Sequence, residues 1–125
     1  MKIANITDEI ITFDNGAMLT FEHDQDCCER VYADFEYLQI IPEIKDVEFS
    51  PPAETLTELI RVVDDLGFLL MGEKCRYADG SRRKYLVPCY NEQNGYYSDN
   101  LTLIYRNGDI EMKLDVSQSV QDFFD

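Results

Sequence analysis

Four of the six glycines follow an asparagine or an aspartate, and that punctuation limits the fold more than any other feature of the chain. The pairs are Asn15-Gly16, Asp79-Gly80, Asn94-Gly95 and Asn107-Gly108. Asn-Gly and Asp-Gly supply the positive φ angles of tight turns, and alternating apolar residues on both sides make such a turn a β-hairpin. Ile10, Thr12 and Phe13 precede the first pair, and Met18, Leu19, Thr20 and Phe21 follow it. Around the last pair, Leu101, Leu103 and Tyr105 alternate with Thr102, Ile104 and Arg106, and Ile110, Met112, Leu114 and Val116 alternate with charges. A period of two is the mark of a half-buried strand. Further strands are expected over 67–72, 84–90 and 96–105.

Two stretches read differently. Leu56, Leu59, Ile60, Val63 and Leu66 fall at helical spacing, with Gly67 placed as a C-terminal cap, so the spacing predicts a helix over 54–66. Thr55 and the pair Val62-Val63 pull toward strand. Asp26 with Glu29 forms a passable capping pattern for a short helical turn over 27–33. Pro42 and Ser50-Pro51-Pro52 bound an extended segment, Asp46 to Phe49. The sum is a single α+β domain over residues 1–125, an antiparallel β-sheet with one or two packed helices.

Charge narrows the partners. With 25 acidic against 11 basic residues the net charge is -14. A duplex nucleic-acid binder needs a basic footprint to displace counterions, so a nucleic-acid duplex is not an expected partner. The acidity serves solubility, or it mimics nucleic acid and fills a basic groove. No apolar run behind the first residues resembles a signal peptide, and none approaches the ~18 residues of a membrane span. An intracellular setting with reduced thiols is therefore expected, with Cys27, Cys28, Cys75 and Cys89 free.

The bases that exist are gathered. Lys74, Arg76, Arg82, Arg83 and Lys84 lie within eleven residues, around Asp79-Gly80. Guanidinium forks suit phosphate. Tyr85, Tyr90, Tyr96, Tyr97 and Tyr105 follow, with Gln93 and Asn94 between them. Rings stack on nucleobases, and an amide reads a base edge with one donor and one acceptor. Basic patch, rings and amides together describe a pocket for a small nucleotide. The plainer reading is that exposed charges flank a turn and alternate tyrosines pack a sheet.

Other chemistry is sparse. His23 with Asp24, Asp26, Cys27 and Cys28 offers metal ligands, but the spacing matches no zinc knuckle, and no metal or cofactor is expected. There is no G-x-S-x-G elbow, no G-x-x-x-x-G-K phosphate loop and no H-E-x-x-H. A Cys–His pair would depend on the single histidine. No catalytic residue is assigned, and a non-enzymatic role is expected.

Two segments carry a family resemblance. Residues 22–35 read EHDQDCCERVYADF and residues 85–98 read YLVPCYNEQNGYYS. These words are similar to those of the first Thoeris anti-defence family, phage and prophage "sponge" proteins; uncharacterised phage proteins share the D-C-C-E and N-G-Y-Y-S words. The resemblance implies binding of a cyclic ADP-ribose isomer, the signal of bacterial TIR immunity, without cleavage. It also implies homo-oligomers, further sites for cyclic oligonucleotides in some members, and a place in the cytoplasm of the bacterial host. Carried onto this chain, it marks Lys84, Tyr85 and Asn94 as ligand contacts. Lys84 stands where the family has an aromatic, which favours a phosphate contact there over stacking. Arg30, after Cys28-Glu29, is placed to reach a phosphate. The residues themselves add Arg76, Arg82, Arg83, Arg106, Tyr90 and Tyr97. Two other readings stay open: an acidic inhibitor that binds a defence protein directly, as an anti-CRISPR or DNA mimic, and a hydrolase that cleaves the signal.

Overall fold

A computed structural model describes residues 1–22, 31–74, 82–92 and 100–122. The hairpins form where the turn chemistry places them. β1 (Ile3–Ile6), β2 (Ile10–Phe13) and β3 (Met18–Glu22) run as an antiparallel meander. Between β2 and β3 the Gly16 amide donates to the Phe13 carbonyl, and only Gly16 of the turn has positive φ, at 88°. That is a three-residue loop closed by a glycine bulge, which twists the strands in the required sense. β8 (Thr102–Asn107) and β9 (Ile110–Asp115) join through Gly108-Asp109, with Gly108 at φ 59°. A glycine at the first position of a two-residue loop fits the II′ turn. The first sheet has the order β1-β2-β3-β8-β9.

The second sheet is built around β7. β5 (Ile60–Val63) pairs with β6 (Gly67–Lys74), and β6 pairs with β7 (Arg82–Asn91), all antiparallel. At the far end of β7, Cys89–Asn91 faces two short strands at once: β4 (Val31–Ala33), antiparallel, and β10 (Val120–Asp122), parallel. A strand has two edges, so β4 and β10 lie on opposite sides of it. Gly67 is where backbone meets backbone: an added Cβ would lie 2.7 Å from the Pro88 Cα.

The expected helix over 54–66 does not form. Leu56–Glu58 makes one 3-10 turn, and Ile60–Val63 is β5. Glu58 fixes only the start of that turn, its carboxylate accepting from the amides of Ala53, Glu54 and Thr55 in a capping box with Thr55. Beyond it Ile60, Val62 and Val63 are β-branched and lose side-chain freedom in a helix. Leu66, counted in the helical stripe, is exposed in the following turn. Gly67 opens β6 and caps nothing. Val31, Tyr32 and Ala33, expected in a helical turn, belong to β4; residues 27–30 of that turn lie outside the described residues. Asp46 closes a 3-10 turn, Ile44–Asp46, and the chain is extended from Val47. The Asp79-Gly80 and Asn94-Gly95 turns also lie outside the described residues. The fold is therefore largely antiparallel β, with helix only as short 3-10 turns among the described residues.

One apolar cluster contains residues of both sheets. Phe49, from the connection between β4 and β5, bridges them: its ring centroid lies 6.1 Å from Phe13 and 6.0 Å from Tyr85, both edge-to-face. Truncating such a buried ring costs about 3–5 kcal/mol. The centre of the fold is thus fixed by aromatic packing, which sets where β7 presents its polar residues.

Candidate ligand site

Position along β7 decides which expected residues reach solvent. Tyr85, Val87 and Cys89 face the shared core and are buried, while Arg83 and Lys84 are exposed near the start of the strand. Arg83, Lys84 and Tyr85 line one recess of about 240 Å³ together with Glu43. Among the described residues Lys84 enters no ion pair, so its ammonium is available to an anion. The recess is smaller than the ~300–1,000 Å³ of a complete small-molecule pocket, and it suits a phosphate or a ribose more than a whole nucleotide.

Tyr85 is not the open stacking platform that the sequence suggests. It is 7% exposed and its ring packs against Phe49. Its hydroxyl is buried without a hydrogen-bond partner among the described residues. Leaving such a group unpaired costs about 1–3 kcal/mol, and that penalty makes the residue notable beyond its packing.

Arg82 has a different task. Its Nε donates to the Gly72 carbonyl at 2.7 Å and its Nη2 to the Met71 carbonyl at 3.1 Å. Nη1 and Nη2 also reach the Glu58 carbonyl at 3.2 and 3.3 Å. The β6–β7 register shifts between Met71 and Lys74, so these carbonyls sit at an irregularity of the ladder, and Arg82 fills their acceptor sites. The guanidinium ties β6, β7 and the 3-10 turn together, with little left over for a ligand.

Arg106 and Tyr90 stand apart from the recess. Arg106 lies on β8 in the first sheet, and its Nε donates to Glu111 at 2.8 Å across the β8–β9 hairpin. That bond holds the Glu111 carboxyl below its usual range. Tyr90 is six residues beyond Lys84, roughly 20 Å along an extended strand, farther than one small nucleotide spans. Its ring lies against Tyr32, centroids 5.6 Å apart and tilted by 53°. Burial, with Asp34 second, pushes its hydroxyl pKa up. Arg30, Arg76, Asn94 and Tyr97 lie outside the described residues, as do His23, Cys27, Cys28 and Cys75.

A second concavity was not legible in the sequence. A groove of about 530 Å³ opens between β3 and β4, with Asp8, Glu9, Glu22, Asp34 and Glu36 among its walls. These carboxylates come from three separate segments, and no spacing links them. Tyr32 also lines it and donates its hydroxyl to Glu92 at 3.0 Å. Glu43 in the smaller recess has no local signal either. Among the described residues no group of three or more His, Cys, Asp or Glu could hold a metal ion. Cys89 is free and buried, and burial pushes its thiol pKa up to about 12, so it is no nucleophile at neutral pH. Among the described residues no helix is long and apolar enough to cross a membrane.

No family model, no curated protein and no solved structure matches the chain.

Proposed function

We propose that the protein binds and sequesters a cyclic ADP-ribose isomer without cleaving it, and acts as a phage or prophage anti-defence protein against Thoeris-type immunity in the bacterial cytoplasm. The observation that carries this reading is the recess at the start of β7, where Arg83 and Lys84 adjoin Tyr85. Lys84 at this recess, on a chain of net charge -14, suits a small anion and disfavours a long polyanion. Lys84 contacts phosphate, and Arg83 stands beside it. Arg76, Asn94 and Tyr97 belong to the same proposal through the resemblance and the sequence cluster. Oligomer formation belongs to it too. Sequestration needs no nucleophile; it needs a preformed pocket and slow release.

The test is recovery of intact ligand. Purified protein is incubated with the signal made by a TIR enzyme and removed by filtration, and the filtrate is assayed on the effector. The retained protein is then heated and its release assayed. Activity that disappears and returns on heating supports sequestration. Activity that disappears for good means hydrolysis. Undiminished activity sinks the proposal.

One observation favours a second reading, direct inhibition of a protein. The groove walled by Asp8, Glu9, Glu22, Asp34 and Glu36 offers a negative concavity to a basic surface. Undiminished signal together with a stable complex on a purified defence protein would favour this reading.

A further inference from the structure

The recess at the start of β7 holds two opposite charges that have not closed on one another. Glu43 and Lys84 both line it, within about 240 Å³. Both residues are exposed, and among the described residues neither side chain makes a hydrogen bond or an ion pair, with the other or with any third group. Their backbones are held for other reasons. Glu43 follows Pro42, whose ring fixes its own φ, and stands between two 3-10 turns, Phe35–Ile40 and Ile44–Asp46. Its carbonyl accepts from the Asp46 amide at 2.8 Å, and the next residue, Ile44, is anchored in the core. Lys84 is the register partner of Met71 on β6, and its neighbour Tyr85 is buried. Carboxylate and ammonium thus share one opening without neutralising each other.

Few chemical groups suit both charges at once. A phosphate in the recess would pair with Lys84 and set a second anion beside Glu43. An ammonium or guanidinium would do the reverse. A sugar hydroxyl satisfies both, because it donates its proton to the carboxylate while its oxygen accepts from the ammonium. Two neighbouring hydroxyls, as on a ribose, match the two oxygens of the carboxylate. Dinucleotide sites use the same chemistry, an acidic side chain on a ribose hydroxyl. The ammonium has three protons, so Lys84 can still give one to a phosphate at the edge of the recess.

We infer that the recess is a ribose subsite, in which Glu43 accepts from a ribose hydroxyl of the ligand and Lys84 donates to the same sugar. This rests on the nucleotide reading and adds to it the residue that tells a ribosyl ligand from a bare phosphate compound. The charge of Glu43 makes the assignment sharp. On a chain of net charge -14, one more carboxylate beside a dianionic ligand only weakens binding, unless that carboxylate accepts a hydrogen bond from the ligand itself. Removing it therefore has opposite consequences under the two cases.

The test is the sign of the effect of Glu43→Ala, read by calorimetry on the full chain with the cyclic ADP-ribose isomer made by a TIR enzyme. If Glu43 accepts from the ribose, the variant should bind about fivefold more weakly, the size expected for a bond that water can replace. Glu43→Gln keeps an acceptor without the charge and should fall between the variant and the parent. Inorganic pyrophosphate has the phosphates and no sugar, so it should bind Glu43→Ala at least as tightly as the parent. Both substitutions change an exposed side chain without a partner among the described residues, so melting should stay within about 2 °C of the parent. A signal that binds Glu43→Ala as tightly as the parent, or more tightly, overturns the inference and leaves the nucleotide reading standing. So does a loss that pyrophosphate shares, since Glu43 would then be holding the recess in shape. A parent protein that binds no signal overturns both together. If pyrophosphate binds neither protein, the sign of the effect on the signal and the order of the two variants still decide.

Discussion

Arg82→Ala separates structure from binding most sharply. Arg82 makes two partly buried bonds, to Gly72 and Met71, and two longer exposed ones to Glu58. A hydrogen bond to a charged group contributes about 1.5–3 kcal/mol when sheltered, and much less where water competes. The Glu58 contacts add little, and the loosened carbonyls can partly rehydrate, so the variant should lose about 2 kcal/mol. With an unfolding entropy of about 2.1 cal/mol/K per residue, a chain of this length should melt about 8 °C lower. Urea titration followed by circular dichroism should show a lower midpoint with an unchanged slope. Arg82→Lys keeps the charge and loses the fork, and should fall between the two. A loss below about 0.5 kcal/mol in Arg82→Ala would refute the clamp. It would also return Arg82 to the list of residues free to hold a ligand. If the clamp is real, the folded fraction of Arg82→Ala should still bind the signal.

Lys84→Glu should behave in the opposite way: at least tenfold weaker binding of the cyclic ADP-ribose isomer by calorimetry, with stability within about 0.5 kcal/mol of the parent. Gly67→Ala should lose at least about 2 kcal/mol in the same urea titration, because its Cβ meets the backbone of Val87 and Pro88, which has no flexible end to move aside. Cys89 titrates at about 12 when folded, against 9.0 in its ordinary state. Between those values the unfolded chain gives up a proton that the native chain keeps, so stability should fall with pH by up to about 1.4 kcal/mol per unit, and Cys89→Ala should show a shallower alkaline fall.

The hairpins were legible because their signals are local. Asn15-Gly16 and Asn107-Gly108 need only their own backbone to set a turn, and the flanking alternation needs only a sheet with one wet face. The segment 54–66 was not legible because Leu56, Leu59 and Ile60 satisfy a helical stripe and a turn-then-strand equally well. The decision came from β6 offering Ile60–Val63 a partner, which outweighed the helix-start capping box of Thr55 and Glu58. The site was half legible. Arg83 and Lys84 were found as neighbours in sequence, and both line the one recess with Glu43. Tyr85 and Arg82 were misleading, since a type-based reading cannot tell which side of a strand faces the core, or that an arginine serves carbonyls of its own chain. The acidic groove left no mark in the sequence, because its walls meet only once β3 and β4 are placed.

The overall acidity leads to a kinetic expectation. At about 10 mM salt the Debye length is about 30 Å, so an approaching dianion feels most of the chain's net charge of -14 as one repulsive field. At about 150 mM it is about 8 Å, and only charges near the recess act. There Lys84 stands without an ion pair among the described residues. Association with the nucleotide should therefore quicken as salt rises over this range, the reverse of ordinary steering between opposite charges. Stopped-flow mixing at a series of salt concentrations gives the slope directly. Lys84→Glu should slow association at every salt concentration, and most at the highest, where the local charge counts for most. A rate that falls steadily with salt in the parent protein would mean that attraction governs the approach from the start. The ligand would then be entering through a surface more cationic than this recess, and the placement at Arg83 and Lys84 would fail with it.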